Sequence, residues 1–190
     1  MNRALLFCCC LLTCFSLCAQ EKLEKERRIQ VNEVPAAARS FLDSCLFQGK
    51  VKWYAEEELN GASVEAKIQE VGYRYSIEFD TLGQIEDVEI ERDPNHLSSW
   101  VIDSMRAHLA RTTLKYKIKR MQVQWTGDRQ ALIMLIRTSQ THLPHTIKYE
   151  VEIKVRDDEG RHMYEYLFTA GGEFIQRRRV IYRTSDHLDY

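Results

Sequence analysis

The chain has 190 residues, of which 44% are hydrophobic and 29% are charged, and its formal net charge at neutral pH is −1. These values are typical of a globular protein and exclude a disordered chain, while the length allows one domain or two small ones. The charge is unevenly placed. Residues 31–95 hold 6 Lys/Arg against 14 Asp/Glu, whereas residues 96–190 hold 16 against 11. The acidic half and the basic half can therefore attract one another, and the basic half can meet an anionic partner.

Residues 1–19 have the composition of an export signal. Arg3 supplies the positive start, and an apolar stretch follows from Ala4 to Leu17. This stretch is shorter than the roughly 20 residues of a membrane span, and a cut is predicted after Ala19. The alternative is a lipoprotein signal with Cys18 as the acylated residue, although Leu17 is an unusual residue before such a cysteine. The sequence predicts a periplasmic or secreted protein with no membrane span after cleavage.

Cysteine use changes after this cut, because Cys45 is then the one cysteine left in the sequence. A single cysteine cannot form an internal disulfide, so the mature fold does not depend on one. The residue is either a catalytic thiol or a buried helix residue. The second interpretation is favoured, because no histidine-bearing motif accompanies it.

Residues 20–33 predict a charged lead-in. Glutamate alternates with lysine and arginine from Glu21 to Gln30, and apolar surface is scarce. Such a stretch is typical of a solvated tether, transiently helical through Glu–Lys pairs.

Residues 34–93 predict a first unit of one helix and four antiparallel strands. Val34-Pro35 begins the helix, since proline suits the first helical turn, and apolar residues recur at helical spacing to Leu46. Gly72 to Arg92 reads as a hairpin with its turn at residues 81–83 and a bulge in its second strand. The two preceding strands are predicted over residues 51–58 and 63–70.

Residues 94–185 predict a second unit in the same order, followed by a polar tail over residues 186–190. The helix is predicted over residues 96–111, and the hairpin pattern returns over residues 160–183 with its turn at Gly171-Gly172. Three strands are predicted between them, over residues 114–125, 129–139 and 146–156, so this unit has one extra strand or a longer first pair.

The predicted fold class is α+β. A helix over one face of an antiparallel sheet is a two-layer unit, and two such units in tandem can join edge to edge with both helices on one face. This arrangement would also cover the edge strands that each unit exposes alone.

These features resemble the PepSY-like proteins of bacterial envelopes. The resemblance is carried by the export signal, the Val-Pro helix start and the sequence Tyr-Ser-Ile-Glu-Phe-Asp-Thr-Leu-Gly-Gln-Ile from Tyr75 to Ile85, and it is best over residues 34–91. The second unit departs from it, with Thr169 in the place of Asp80 and no proline before its helix. The family's fold is similar to that of β-lactamase-inhibitor protein, so the resemblance implies an exported, non-catalytic binding or inhibitory module.

Motifs for other chemistry are absent from the sequence, so no cofactor, metal or nucleic acid is predicted. His142 and His145 flank Pro144, but a zinc site needs three or four closely spaced ligands. Basic residues cluster over 115–120 and 177–179, yet an exported protein rarely meets nucleic acid. The run of glutamates over 56–58 reads as a solvated strand edge that discourages aggregation.

The second unit carries more apolar side chains than one sheet face needs. Ala131 to Ile136 would be apolar on both faces of the predicted strand, which indicates an open sheet face that contacts a partner. The alternative is that the second unit buries both faces through a longer sheet, a tail or a dimer. The predicted binding residues are Met121, Val123, Trp125, Leu132, Met134, Ile136, Met163, Leu167, Arg177 and Arg179.

The first hypothesis is therefore an exported, non-catalytic binding module, of which an inhibitor is one form. It would hold a protein or peptide of the cell envelope on this face. An envelope hydrolase is one alternative. A structural envelope protein that associates with itself, for example as a homodimer, is the other.

Overall fold

The computed structural model describes residues 20–58, 61–113, 115–158 and 160–182. The predicted signal peptide and the predicted tail lie outside the described residues. Within them the chain forms nine strands and three α-helices. In chain order the elements are β1 (Gln20–Ile29), α1 (Ala36–Cys45), β2 (Val51–Glu58), β3 (Gly61–Glu70), β4 (Tyr73–Asp80), β5 (Ile85–Glu91), α2 (Ser99–Thr112), β6 (Tyr116–Gly127), α3 (Arg129–Thr138), β7 (His145–Asp157), β8 (Gly160–Thr169) and β9 (Phe174–Tyr182).

The strands form one mixed sheet that closes on itself. Each strand pairs antiparallel with the next in the chain, and β1 also pairs parallel with β9. The fold class is α+β, as predicted. Each of α1 and α2 is followed by four strands, with α3 inserted between the first two strands of the second set. The two sets meet where β5 pairs with β6.

The hairpin of β4 and β5 turns beneath the start of α1. The Oδ1 of Asp80 accepts the backbone N–H groups of Leu82 and Gln84 at 2.9 and 2.8 Å. Gly83 has φ +82°, and a Cβ atom there would lie 2.8 Å from the Pro35 side chain, so only glycine fits. The predicted bulge is confirmed, because the register shifts between Glu78 and Phe79.

The hairpin of β8 and β9 makes the same kind of turn beneath α2. The Oγ1 of Thr169 accepts the N–H groups of Gly171 and Glu173, both at 3.2 Å. Gly172 has φ +75°, and a Cβ atom there would lie 2.7 Å from the carbonyl oxygen of Val101. Threonine therefore performs the hydrogen bonding that aspartate performs in the first hairpin.

The helices cover one face of the sheet, called here the helix face, and bury two apolar cores. The first core joins α1 and α3 to β2–β5, and the rings of Phe41 and Phe79 meet edge to face at 5.6 Å. The second core joins α2 to β6–β8, where His108 stacks on Phe174 at 4.2 Å. Alternation along each strand supplies these side chains to one face.

Two predicted elements are wrong. Residues 129–139 were expected as a strand, but Arg129–Thr138 is the helix α3. The run from Ala131 to Leu135 buries side chains at helical spacing, and Ala, Leu, Met and Gln all favour helix. The extra apolar residues thus belong to one stripe of a helix, which packs beside α1 through the Arg129 guanidinium bonded to the Ser40 carbonyl at 2.9 Å.

The charged lead-in is the second error, because residues 20–29 form strand β1. Alternating charges also suit a strand whose two faces both find charged partners, and the spacing of the charges alone does not distinguish this from a tether. The prediction for Cys45 agrees with the structure. The residue is buried in α1, and burial raises the pKa of its thiol to about 12.

Candidate functional site

The sheet face opposite the helices, called here the polar face, is buried although none of the described helices covers it. Its side chains include a set of carboxyl and amide groups that are each at most 7% exposed. These are Glu65, Glu89, Gln122, Glu150, Glu152 and Glu165. Because β1 joins β2 to β9, the closed sheet encloses this face. Buried charge on this scale is costly unless it is paired, so the polar face is the candidate functional site.

One end of the enclosed face holds a carboxylate cluster from three neighbouring strands. Oxygen atoms of Glu26, Glu56 and Glu65 lie within 4.8 Å of one another. The ammonium of Lys67 lies 2.7 Å from Glu26 and 3.0 Å from Glu65, and the hydroxyl of Ser76 donates to Glu65. Lysine therefore supplies the cation that this cluster needs.

Burial raises the pKa of Glu56 to about 9, and the neighbouring Glu65 adds to the rise. Burial also raises the pKa of Glu65, which Lys67 partly offsets. Oxygen atoms of the two carboxyl groups lie within 4.8 Å of each other, so the consistent arrangement is a protonated Glu56 that donates to an ionised Glu65. This pair would titrate as a unit.

The centre of the polar face holds further acidic groups whose amide neighbours donate to them. The Nε2 of Gln122 donates to Glu89 at 2.7 Å, and the Nε2 of Gln124 donates to Asp87 at 2.9 Å. Burial is the main cause that raises the pKa of Asp87 and Glu89 well above the usual range. Burial likewise raises the pKa of Glu150 to about 8, with nearby Glu165 adding to it.

Strand β1 contributes the cation nearest this central group. The Nζ of Lys22 lies 2.6 Å from Glu165 on β8, whose side chain is 4% exposed. Burial raises the pKa of Asp87, Glu89 and Glu150 on β5 and β7, and the same ammonium offsets part of that rise. One side chain of β1 thus acts on carboxyl groups from three other strands, across the enclosed interior.

Two arginines add further charge pairs on the polar face. Arg120 donates to Glu152, and the Arg178 guanidinium lies 3.9 Å from Glu165. A cleft of about 440 Å³ is lined by residues of β2 to β6, among them Lys52, Lys67 and Arg120. This cleft gives water a route to the end of the buried network.

The two halves of β1 pair with different neighbouring strands. Its first five residues, Gln20–Glu24, pair with β9, and the next five, Lys25–Ile29, pair with β2. At the end near α1, Ile29 anchors the strand and is 6% exposed in the first core. The remaining described contacts are ion pairs such as Lys25 with Glu57 at 2.7 Å and Arg27 with Glu33 at 3.3 Å.

The predicted binding residues do not form one open sheet face. Leu132, Met134 and Ile136 lie on α3, and Leu132 is fully buried in the first core. Met121 and Val123 are buried on the helix face, and Trp125 is half-buried against the first core. The expectation of an uncovered face is therefore wrong for these residues, because helices cover one face and sheet closure covers the other.

The last four predicted residues divide between the two faces. Met163 and Leu167 alternate with Tyr164 and Tyr166, so they share the polar face with Glu165. Arg177 lies over the Tyr164 ring at 5.0 Å, and Arg179 donates to the His162 ring at 2.9 Å. Binding by any of these residues stays a prediction.

Sequence reasoning missed the residues that now define the site. Glu56 was read as part of a solvated edge, although alternation places it on the opposite face from exposed Glu57. The signal was present in the excess of acidic residues over 31–95, since glutamates recur at the inward positions of consecutive strands. The sequence does not show that β1 closes the sheet, and without this closure those positions would face water.

Comparison with known proteins gives likeness in fold. No family model and no curated protein matches the chain. A DUF2874 family protein from Bacteroides uniformis aligns with a TM-score of 0.52 at 16% identity, over 77% of this chain and 89% of its own. A DUF2874 family protein from Bacteroides ovatus aligns with a TM-score of 0.50 at 14% identity, over 77% and 88%.

A BLIP-like protein from Bacteroides fragilis aligns at 15% identity over 80% of this chain and 91% of its own, with a TM-score of 0.48. This score is below 0.5, so the likeness in fold rests on the two DUF2874 proteins, and the PepSY-like resemblance stays a prediction. None of the described helices is long and apolar enough to span a membrane.

Proposed function

We propose that the protein is an exported, non-catalytic module of the PepSY-like type that binds a protein or peptide. In this proposal an extended segment of the partner takes the place of β1 between β2 and β9. A strand that leaves a sheet exposes two rows of unpaired backbone groups, and a foreign strand can pair with them.

The observation that carries the proposal is the divided attachment of β1, which pairs with β9 along one half and with β2 along the other. Among the residues that the structure describes, each half pairs with one neighbour, whereas residues 63–68 of β3 pair with both β2 and β4. A strand that pairs on one side along each half should open at a lower free energy than an interior strand that pairs on both sides.

The buried thiol supports the non-catalytic part of the proposal. Cys45 is the cysteine that the predicted mature chain retains, and the raised pKa of its thiol makes it a poor nucleophile at neutral pH. Burial outweighs the effect of Arg129 and Arg137, whose charges lower the pKa of this thiol.

Hydrogen exchange measured by mass spectrometry gives the first test. The amides of β1 should exchange at least about tenfold faster than those of β3 and β4, which corresponds to an opening free energy lower by about 1.4 kcal/mol. Equal protection of all of these strands would contradict the proposal.

A locked variant gives the second test. Glu21 and Arg179 are register partners on β1 and β9, so the double substitution Glu21→Cys and Arg179→Cys allows a disulfide to fix β1 in place. The oxidised variant should no longer capture a partner that the wild-type protein captures from envelope extract, and reduction should restore capture. Undiminished capture by the oxidised variant would show that β1 does not have to move.

A further inference from the structure

Lys22 forms the best-buried ion pair between β1 and the rest of the described chain. It is 19% exposed and bonds to Glu165, which is 4% exposed. By contrast, Lys25 and its partner Glu57 are 42% and 66% exposed. A buried ion pair responds strongly to loss of one partner, whereas an exposed pair contributes little.

The acidic groups around Lys22 come from several strands. Electrostatic interactions connect Lys22 and these carboxyl groups with one another. The groups are Glu165 on β8, Glu150 on β7, and Asp87 and Glu89 on β5. Arg178 and Arg120 offset part of this negative charge at the side of Glu165 and Glu152. Removal of β1 therefore opens an acidic pocket that lacks the cation that these groups share.

One charge on β1 is unfavourable where the strand lies in the sheet. Glu26 bonds to Lys67, but its charge also raises the pKa of Glu56 and of Glu65 beside it. A strand with a neutral residue at that position would avoid this repulsion. A foreign segment can therefore compete with β1 although β1 has the advantage of being attached to the same chain.

We infer that the site left by β1 selects an extended partner segment that carries a lysine or arginine at the position of Lys22, where its cation would reach Glu165 and the acidic pocket. This inference rests on the proposed function and names the chemistry of the partner. The backbone of the segment would pair with β9 and β2, and the basic side chain would determine which segment is accepted.

The test uses the full chain and a fluorescent peptide with the sequence of residues 20–30. In the chain, Lys22→Glu weakens the hold of its own β1, and Lys25→Glu is the matched control at an exposed ion pair. The peptide should bind the Lys22→Glu chain at least about tenfold more tightly than the Lys25→Glu chain, measured by fluorescence anisotropy. Near-UV circular dichroism checks folding, and Lys22→Gln is the milder variant if Lys22→Glu does not fold.

Changes in the peptide then test the basic residue itself. A peptide with glutamine at the position of Lys22 should bind the variant chain at least about tenfold more weakly, while glutamine at the position of Lys25 should change binding less than about twofold. Glu165→Gln in the variant chain should weaken binding of the wild-type peptide. Binding of the peptide with glutamine at the position of Lys22 should not change.

The outcomes separate the two proposals. Equal binding of both peptides would overturn the selection for a basic residue and leave strand replacement intact. Failure of every peptide to bind a folded Lys22→Glu or Lys22→Gln chain, together with full protection of β1 amides, would overturn both.

Discussion

The two faces of the sheet are buried by different means. The helix face is apolar and is covered by three helices that fill two cores. The polar face carries mostly acidic and amide groups, and it is buried because the sheet closes around it. The first face contributes hydrophobic free energy, whereas the second depends on pairing of its charges. The helix face should therefore contribute most of the free energy of unfolding. The polar face should determine how that free energy changes with pH.

The largest effect should follow from a cavity on the helix face. Phe41 is fully buried and contacts the Phe79 ring, so Phe41→Ala should lower the free energy of unfolding by about 3–5 kcal/mol. Urea denaturation measures this change. A loss below about 1 kcal/mol would show that the first core does not hold the fold together.

A pH titration should expose the polar face. The pKa values of Glu150 and Glu56 are raised to about 8 and about 9, so their neutral forms stabilise the folded chain. That stability is complete below about pH 4.5 and is lost as pH rises through these values. Between pH 5 and pH 9 the free energy of unfolding should fall by more than about 1.4 kcal/mol, the equivalent of one pKa unit.

The matched control for the titration is Glu56→Gln, which keeps the size and the donor of the neutral carboxyl group. Its stability should fall less steeply above pH 7 than that of the wild-type protein. The lowered pKa values of exposed Glu33 and Glu57 act below this window and do not affect the comparison. If stability falls equally steeply with pH in the variant and in the wild-type protein, a group other than Glu56 causes the fall.

Loss of one partner of the buried ion pair should have a smaller effect. Glu165→Gln leaves Lys22 without its nearest carboxylate, and we expect the free energy of unfolding to fall by about 1–3 kcal/mol. Hydrogen exchange of the same variant should increase first in β1. Increased exchange spread evenly over all strands would argue against a local role for this pair.

The smallest effect should come from the exposed pair on the same strand. Glu57→Gln removes the partner of Lys25, and the midpoint of thermal unfolding should shift by less than about 1 °C. A shift as large as that of Glu165→Gln would mean that β1 is held along its whole length rather than at Lys22.

The sequence predicted the helix face better than the polar face, for physical reasons. Alternation from Tyr73 to Phe79 and the Gly83 turn are local signals, and both predicted elements are observed. The helix α3 was missed because a short apolar run fits either a strand or a helix until its packing is known. The acidic interior was missed because it exists only when β1 pairs with β9, a contact between residues about 158 positions apart in the chain.

The placement of α3 also limits how independent the two halves are. By sequence α3 lies within the second set of strands, but it packs in the first core beside α1. A fragment that ended at Arg92 would lack Leu132, Ile133 and Leu135 from its core. The predicted boundary between residues 93 and 94 therefore separates strands but divides a core.

The parallel pairing of β1 with β9 has a mechanical consequence. Gln20 lies opposite Arg178 and Glu24 opposite Tyr182, so tension that pulls Gln20 and Tyr182 apart acts along both strands in opposite directions. The backbone bonds between them are then loaded in shear, all at the same time. Tension on Gln20 alone, directed away from the sheet, instead breaks them one after another. The protein should therefore resist tension applied between Gln20 and Tyr182. A weaker force on Gln20, directed away from the sheet, should detach β1.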